Sequence, residues 1–302
     1  MSLITVVVPS YNHALFLPSL FDKIESINVS CKVLIIDDCS SDNSREIIES
    51  YVLSSSKSVE YIVKSKNRGL VDSLLLSLKE VKTKYIYYIS SDDLVEPCGF
   101  VEAFNYMLEN ENINFGIFGA YNSKNGKVIG DVYTDSHLRF FNLSEQRRKD
   151  EIFYNHPAPI LIQSTIFKVE HLLDLKVFET SLKFDDYPLF IKLLQSDSVM
   201  GETFLFMPNI KISHYNHHES NTYNDYLKMY DMFLDVYNEL APEHLRMRSI
   251  SMIWWQYTLR AVRDKNWVVL SKLIRKNRCW KSPFYFFLFI YLRVKNKCNV
   301  LR

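Results

Sequence analysis

The stretch from Lys84 to Pro97, KYIYYISSDDLVEP, decides how this chain is read. Lys84 to Ile89 is β-branched and aromatic with no Gly or Pro, which predicts a buried strand rather than a turn of helix. Two carboxylates, Asp92 and Asp93, follow at once. Like charges side by side repel, so such a pair at the carboxyl end of a core strand suits a cation, and hard oxygen donors favour Mg²⁺ or Mn²⁺. A purely structural role fits the same letters: Ser90, Ser91 and Asp92 can form a turn that caps a helix opening near Pro97.

Outward from this stretch, strand and helix alternate. Leu3 to Val8 (LITVVV) is a continuous apolar run ended by Pro9, the pattern of a strand covered on both faces. Ser10, Tyr11 and Asn12 lead into an amphipathic helix from about Ala14 to Ile27, with Leu17, Leu20, Phe21 and Ile24 on one face. Lys32 to Ile36 is the next strand and ends in Asp37-Asp38-Cys39-Ser40-Ser41-Asp42. A helix from about Asn43 to Val52 and a strand from Val59 to Val63 follow. Asn67-Arg68-Gly69-Leu70 then opens a helix to about Val81. This alternation predicts an α/β fold, a Rossmann-like, mostly parallel sheet wound with helices on both faces, whose ligands sit beyond the carboxyl ends of the strands. The polar clusters Pro9–Asn12, Asp37–Asp42, Lys66–Gly69 and Ser90–Asp93 all fall at those ends. The chain has only seven glycines and neither GxGxxG nor GxxxxGK, which argues against a dinucleotide dehydrogenase and a P-loop hydrolase. A nucleotide bound here would need a metal to screen its diphosphate.

Four of these segments together resemble the nucleotide-binding half of glycosyltransferase family 2: VVVPSYN (Val6 to Asn12), IIDDCSSDNS (Ile35 to Ser44), NRGL (Asn67 to Leu70) and YISSDDLVEP (Tyr88 to Pro97). The resemblance implies the GT-A fold and transfer of a sugar from a nucleotide donor with inversion at the anomeric carbon. It implies that Pro9 and Tyr11 line the base pocket, the Tyr11 ring against uracil, with Asn12 in the same nucleotide-binding set. Asp38 would accept a hydrogen bond from the base, and Arg68 would lie near the base or the phosphates. Asp92 would face the ribose and metal, and Asp93 would reach the cation. Two positions depart from the commoner pattern: Ser90 stands where an Asp is usual, and Leu75 where an Asn is usual. With one carboxylate fewer, the ion would depend on donor phosphates and water.

A second acidic pair opens the helical run Leu182 to Leu194, LKFDDYPLFIKLL, whose Leu189, Phe190, Leu193 and Leu194 share one face. Asp185 or Asp186 can be its N-cap, with Pro188 in the first turn. The resemblance instead matches Asp186 to the catalytic base, the group that takes the acceptor hydroxyl's proton. Of the histidines in the run from His214 to Asn221, His218 is the candidate metal ligand, the alternative being general binding-loop polarity. Between these landmarks the sequence predicts a helix over Phe100–Leu108 and a strand over Phe115–Tyr121. An Asn125-Gly126 hairpin turn leads into Lys127–Tyr133, acceptor-side loop and helix fill Thr134–Pro159, and a strand over Glu202–Met207 is closed by Pro208. The expected division is a GT-A domain over residues 1–222, with nucleotide half 1–97 and acceptor half 98–222, followed by a basic, aromatic-rich helical region over 223–302.

The net charge of +1 conceals a polarity. Residues 244–302 hold 14 Lys and Arg against one acid, Asp264, a balance of +13, which leaves −12 for residues 1–243. The aromatic run Pro283 to Leu292 is too short to span a bilayer and is flanked by Lys281, Arg293, Lys295 and Lys297. It predicts an interfacial helix, hence a cytoplasmic protein held peripherally on the inner face of the cell membrane by anionic lipid. Five cysteines without CxxC spacing fit a reduced compartment, and no signal peptide is expected. The expected partners are a UDP-sugar and a glycan acceptor, lipid-linked as for a surface polysaccharide, and not nucleic acid. A non-catalytic binding module on the same scaffold and a sugar nucleotidyltransferase are the rival readings. Ser90 favours the former, and the latter would need a Gly-rich loop where Pro9 to Asn12 stands.

Overall fold

All seven residues of Ile4–Ser10 (β1) are buried, the outcome that its unbroken run of β-branched side chains requires. The computed structural model describes residues 2–197, 199–218, 225–276 and 282–298. After β1 come α1 (Leu17–Glu25), β2 (Cys31–Asp37), α2 (Ser44–Ser54), β3 (Ser58–Val63), α3 (Leu70–Glu80), β4 (Tyr85–Tyr88), β5 (Leu94–Val95) and α4 (Pro97–Glu109). The hairpin β6 (Phe115–Lys124) and β7 (Lys127–Asp131) leads to α5 (Asp135–Phe141) and α6 (Glu145–Glu151). A 3-10 turn at Ile162–Ser164 precedes β8 (Thr165–Lys168), α7 (Val169–Asp174), α8 (Asp186–Ser196) and β9 (Phe204–Asn216). The remaining helices are α9 (Tyr226–Leu240), α10 (Glu243–Arg263), α11 (Trp267–Lys276) and α12 (Ser282–Cys298).

The strands form one sheet in the order β3-β2-β1-β4-β8-β6-β9-β5, with β7 paired to β6. β3, β2, β1 and β4 are mutually parallel, while β8 runs antiparallel to both β4 and β6. The core under this sheet joins Val6, Val8, Val33 and Ile35 to Leu17, Leu20, Ile24 and Ile48 of α1 and α2, and to Phe100, Ala103 and Phe104 of α4. These are the apolar stripes that the helical periodicity predicts. Asn125 and Gly126 take φ of 51° and 72°, as a tight hairpin turn of this type requires.

Pro208 does not close a strand. β9 runs on through it, and the pairing with β6 jumps from Phe118↔Met207 to Gly119↔Lys211. Such a bulge accommodates the residue that lacks an N–H. Gly119 makes it possible, since a Cβ there would lie 2.2 Å from the Pro208 carbonyl oxygen.

The chain divides into two compact units, one of residues 1–133 with 159–218 and the other of 134–158 with 219–302. Residues 134–158, read from sequence as part of the acceptor half, thus group with the C-terminal helices. In this second unit Thr134 and His137 form a capping box at α5. The buried Arg148 donates to the Phe141 and Leu143 carbonyls, and the Arg248 guanidinium lies 4.6 Å from the Tyr154 ring. α10 buries Ile253, Trp254, Tyr257 and Ala261 along one face. The Trp254 indole N–H donates to the Leu273 carbonyl at 2.9 Å, tying α10 to α11. No helix among the described residues is long and apolar enough to cross a membrane.

Candidate active site

Within the first unit, the loops after β1 and β2 are sewn together by side chains. Asn12, with φ of 54°, donates its backbone N–H to Ser40 Oγ at 2.9 Å, and its Oδ1 accepts from the Ser41 N–H at 2.8 Å. The next two amides, of His13 and Ala14, donate to Ser44 Oγ and Asp42 Oδ2. The Asn12 side chain therefore ties the two loops together. Pro9 is buried in the sheet, whereas Tyr11 beside it is 43% exposed and presents its ring. Asp38 is also taken up by the chain. Its carboxylate accepts from the Arg68 and Gly69 amides at 2.9 and 2.7 Å and pairs with Lys64 Nζ at 2.6 Å. The loop opening α3 hangs on these bonds, so Asp38 holds this loop beside the strand ends where the base contact is expected. The Arg68 side chain is more than half exposed, 4.0 Å from Asp72.

At the end of β4 the two adjacent carboxylates have different surroundings. Asp93 is 2% exposed; its Oδ1 accepts from the Asn216 N–H at 2.7 Å and its Oδ2 from the Gln163 amide at 2.8 Å. Burial, reinforced by the charge of Asp92, pushes its carboxyl well above the usual carboxylate range. A group so placed holds the end of β9 and the 3-10 turn against β4. Asp92 faces outward, with one oxygen 2.8 Å from His218 Nε2, and its main-chain carbonyl accepts from the Asn216 side-chain amide at 2.7 Å. His13 Nδ1 lies 2.6 Å from Ser91 Oγ, and Phe16 stands between the His13 and His218 rings at 5.6 and 5.4 Å. Burial lowers the pKa of His13, the effect of Asp92 opposing it.

Neither acidic pair caps a helix with its side chains. The N-cap of α4 is Glu96 and that of α8 is Asp185, and neither makes a side-chain capping bond. Asp186 Oδ1 instead accepts from the Ile162 N–H at 2.9 Å. Its pKa is pushed well above the usual range by burial first, then by the charges of Asp185 and Asp93. That of Asp185 is raised chiefly by burial, with Asp92 contributing. Ile162 and Gln163 are consecutive, so one short turn holds Asp186 with its backbone and Asp93 with its side chain. Two carboxylates about ninety residues apart in the chain meet through it. Gln163 and Asn216 are the residues that motif reading missed, since a lone amide in the sequence carries no signal of its partner. Glu219, Ser220 and Asn221 lie outside the described residues.

Four carboxylates in mutual electrostatic contact favour a cation among them. Among the described residues no three His, Cys, Asp or Glu side chains form a group that could hold a metal ion. Asp92 and His218 do offer a carboxylate beside an imidazole, a pair that suits Mn²⁺, which completes its shell with phosphate oxygens and water. The residues fit a site of two protein donors.

A mostly parallel sheet with carboxylates gathered at its strand ends defines a protein of the GT-A glycosyltransferase type. Residues 5–169, more than half of the chain, match the model of Glycosyl transferase family 2, and the chain belongs to that family. An uncharacterized glycosyltransferase of Rickettsia bellii is 26% identical over 208 residues, 68% of this chain and 29% of that one. The chain spans between 29% and 63% of the length of this and two further curated relatives. Among solved structures, S. aureus TarS 1–349 in complex with UDP-GlcNAc superposes with a TM-score of 0.59 at 15% identity, covering 84% of this chain and 71% of that one. The mannosyltransferase PcManGT of Pyrobaculum calidifontis, in complex with GDP-Man and Mn²⁺, gives 0.59 at 13% identity, covering 99% and 87%. At these identities the likeness is one of fold.

Proposed function

We propose that this chain transfers a hexose or N-acetylhexosamine from a UDP-sugar to a hydroxyl of a glycan, with inversion at the anomeric carbon. The observation that carries this reading is the pairing of Asp186 and Asp93 through Ile162 and Gln163, which sets an elevated carboxylate beside the strand ends where a nucleotide binds. In the reaction the acceptor oxygen attacks the anomeric carbon as the bond to the diphosphate breaks, and Asp186 takes the hydroxyl proton. A base whose pKa stands above that of an ordinary carboxylate is better matched to an alcohol that is losing its proton. Tyr11 offers its exposed ring to the base, and the exposed Arg68 guanidinium is the cation for the phosphates. Asp92 and His218 would hold Mn²⁺ or Mg²⁺, and Asp93 keeps Asn216, and with it the chain leading to His218, in place. Such an ion, when bound, screens the negative charge of the donor diphosphate.

The UDP preference and a lipid-linked acceptor extend the sequence resemblance. The two solved neighbours bind different bases, one a UDP-sugar and the other GDP-Man. A panel of UDP- and GDP-sugars, incubated with Mn²⁺ and followed by release of the nucleoside diphosphate, tests the reading. Slow turnover of one UDP-sugar is expected, suppressed by a chelator. Nucleotide binding without turnover of any sugar, in the presence of glycan acceptors, would favour a non-catalytic module, the alternative for which Ser90 speaks. Turnover of GDP-sugars alone would overturn the choice of base.

A further inference from the structure

The second unit ends in a helix only one side of which is covered. Phe289 of α12 is buried and Phe286 packs against Trp255 of α10 with ring centroids 4.5 Å apart. The other side carries Phe284, Phe287, Ile290, Tyr291 and Val294, which are 75, 77, 39, 57 and 55% exposed. At 3.6 residues per turn these five fall within an arc of about 120° and extend about 15 Å along the helix. An unpaired apolar stripe of this kind is unusual on a protein surface, and it marks an interaction face.

We propose that this face of α12 docks on an anionic lipid bilayer, lying in the plane of the headgroups. The charge of the region that carries it selects that occupant. Residues 244–302 carry 14 basic residues and one acid, and Lys265, Lys272, Arg275 and Lys295 are exposed among those described. Lys281 and the Lys297 side chain lie outside the described residues. Lys295 stands 5.7 Å from the Tyr291 ring, so an ammonium group and an aromatic ring share the edge of the stripe. Aromatic rings at headgroup depth beside basic residues are the composition of an interfacial helix. A second copy of the chain would bring the same +13 region against itself, and nucleic acid offers no apolar surface for two phenylalanines and a valine.

The test is flotation of the full chain with vesicles of phosphatidylcholine containing a third phosphatidylglycerol, beside pure phosphatidylcholine, at low and at high salt. Binding to the anionic vesicles, weakened by salt and by removal of phosphatidylglycerol, is expected. Replacing the three exposed rings (Phe284→Ser, Phe287→Ser, Tyr291→Ser) should lower partitioning by about tenfold or more. Lys295→Glu, a change of two charge units at about fivefold each, should lower it by about 25-fold. All four positions are exposed, so thermal unfolding of the variants should match the parent. A parent that stays unbound at low salt overturns the proposal, as does a ring variant that binds as the parent does. A parent that is dimeric by light scattering, and monomeric once the rings are removed, assigns the stripe to self-association and also overturns it. Flotation requires no turnover, so its result and that of the donor panel are independent.

Discussion

Asp186→Asn is the substitution that isolates the proposed chemistry. The asparagine has nearly the shape of the aspartate, and its amide oxygen can still accept from the Ile162 N–H, now 2.9 Å from Oδ1. The hydrogen bond, worth about 1 kcal/mol, is therefore kept, and the change is confined to charge and proton affinity. Loss of a general base costs about 10² to 10⁴ in rate, or about 2.7 to 5.5 kcal/mol of transition-state stabilisation. Transfer should fall by that factor with the donor KM little changed. Stability should move the other way. The folded pKa of Asp186 lies above the unfolded one, so the native state holds the extra proton between the two values. Stability is complete below the unfolded pKa, about 4, and falls as pH rises through the folded pKa. Asparagine removes that slope, along with repulsion from Asp185 and Asp93, so the variant should unfold at the same or a higher temperature at neutral pH. The assay is glycan transfer with the donor found in the panel, beside thermal unfolding from pH 4 to 8. Transfer within threefold of wild type would refute the assignment of Asp186 as base. A variant that loses both transfer and stability would show that the carboxylate is structural.

The same elevated pKa predicts that kcat/KM falls on the acid side with an apparent pKa above that of an ordinary carboxylate; a rate flat down to pH 4 would contradict it. Gln163→Leu leaves the buried Asp93 Oδ2 without its donor and should cost about 1–3 kcal/mol in chemical denaturation, more than an exposed amide would. Asp92→Ala and His218→Ala should each raise the Mn²⁺ concentration needed for half-maximal turnover, whereas Asp93→Asn should act first on stability; an unchanged metal requirement in both alanine variants removes the pair as donors. Gly99→Ala should destabilise by about 3 kcal/mol, because a Cβ there would sit 1.7 Å from the Lys211 carbonyl oxygen, where backbone cannot yield cheaply; an unshifted melting temperature would show that α4 and β9 are looser than described.

What could be read from the chain and what could not separate by the range of the forces involved. β1 to β4 and the helices between them were legible because each strand is rich in β-branched and aromatic residues and each helix has its stripe, both local properties. The C-terminal region was legible as helical, and α9 opens it at Tyr226–Leu240. β8, with only Thr165 to Lys168, is too short to show a period, yet it turns the sheet antiparallel beside β4. Pro208 read as a stop because the bulge that accommodates it depends on Gly119, nearly ninety residues earlier.

The site follows the same division. By itself the amino-acid sequence determined the alternating α/β architecture, the strand ends at which polar residues gather, and the acidic pairs Asp92-Asp93 and Asp185-Asp186, since these depend on residue type and spacing. Only the tertiary structure decided that Asp93 is buried while Asp92 meets His218, that Asp38 and Asn12 tie loops together, and that one turn at Ile162 and Gln163 joins the two acidic segments. The environment of a carboxylate is set by donors such as Gln163, Asn216 and Ile162, which approach from distant segments, and burial and hydrogen bonding act through space rather than along the chain.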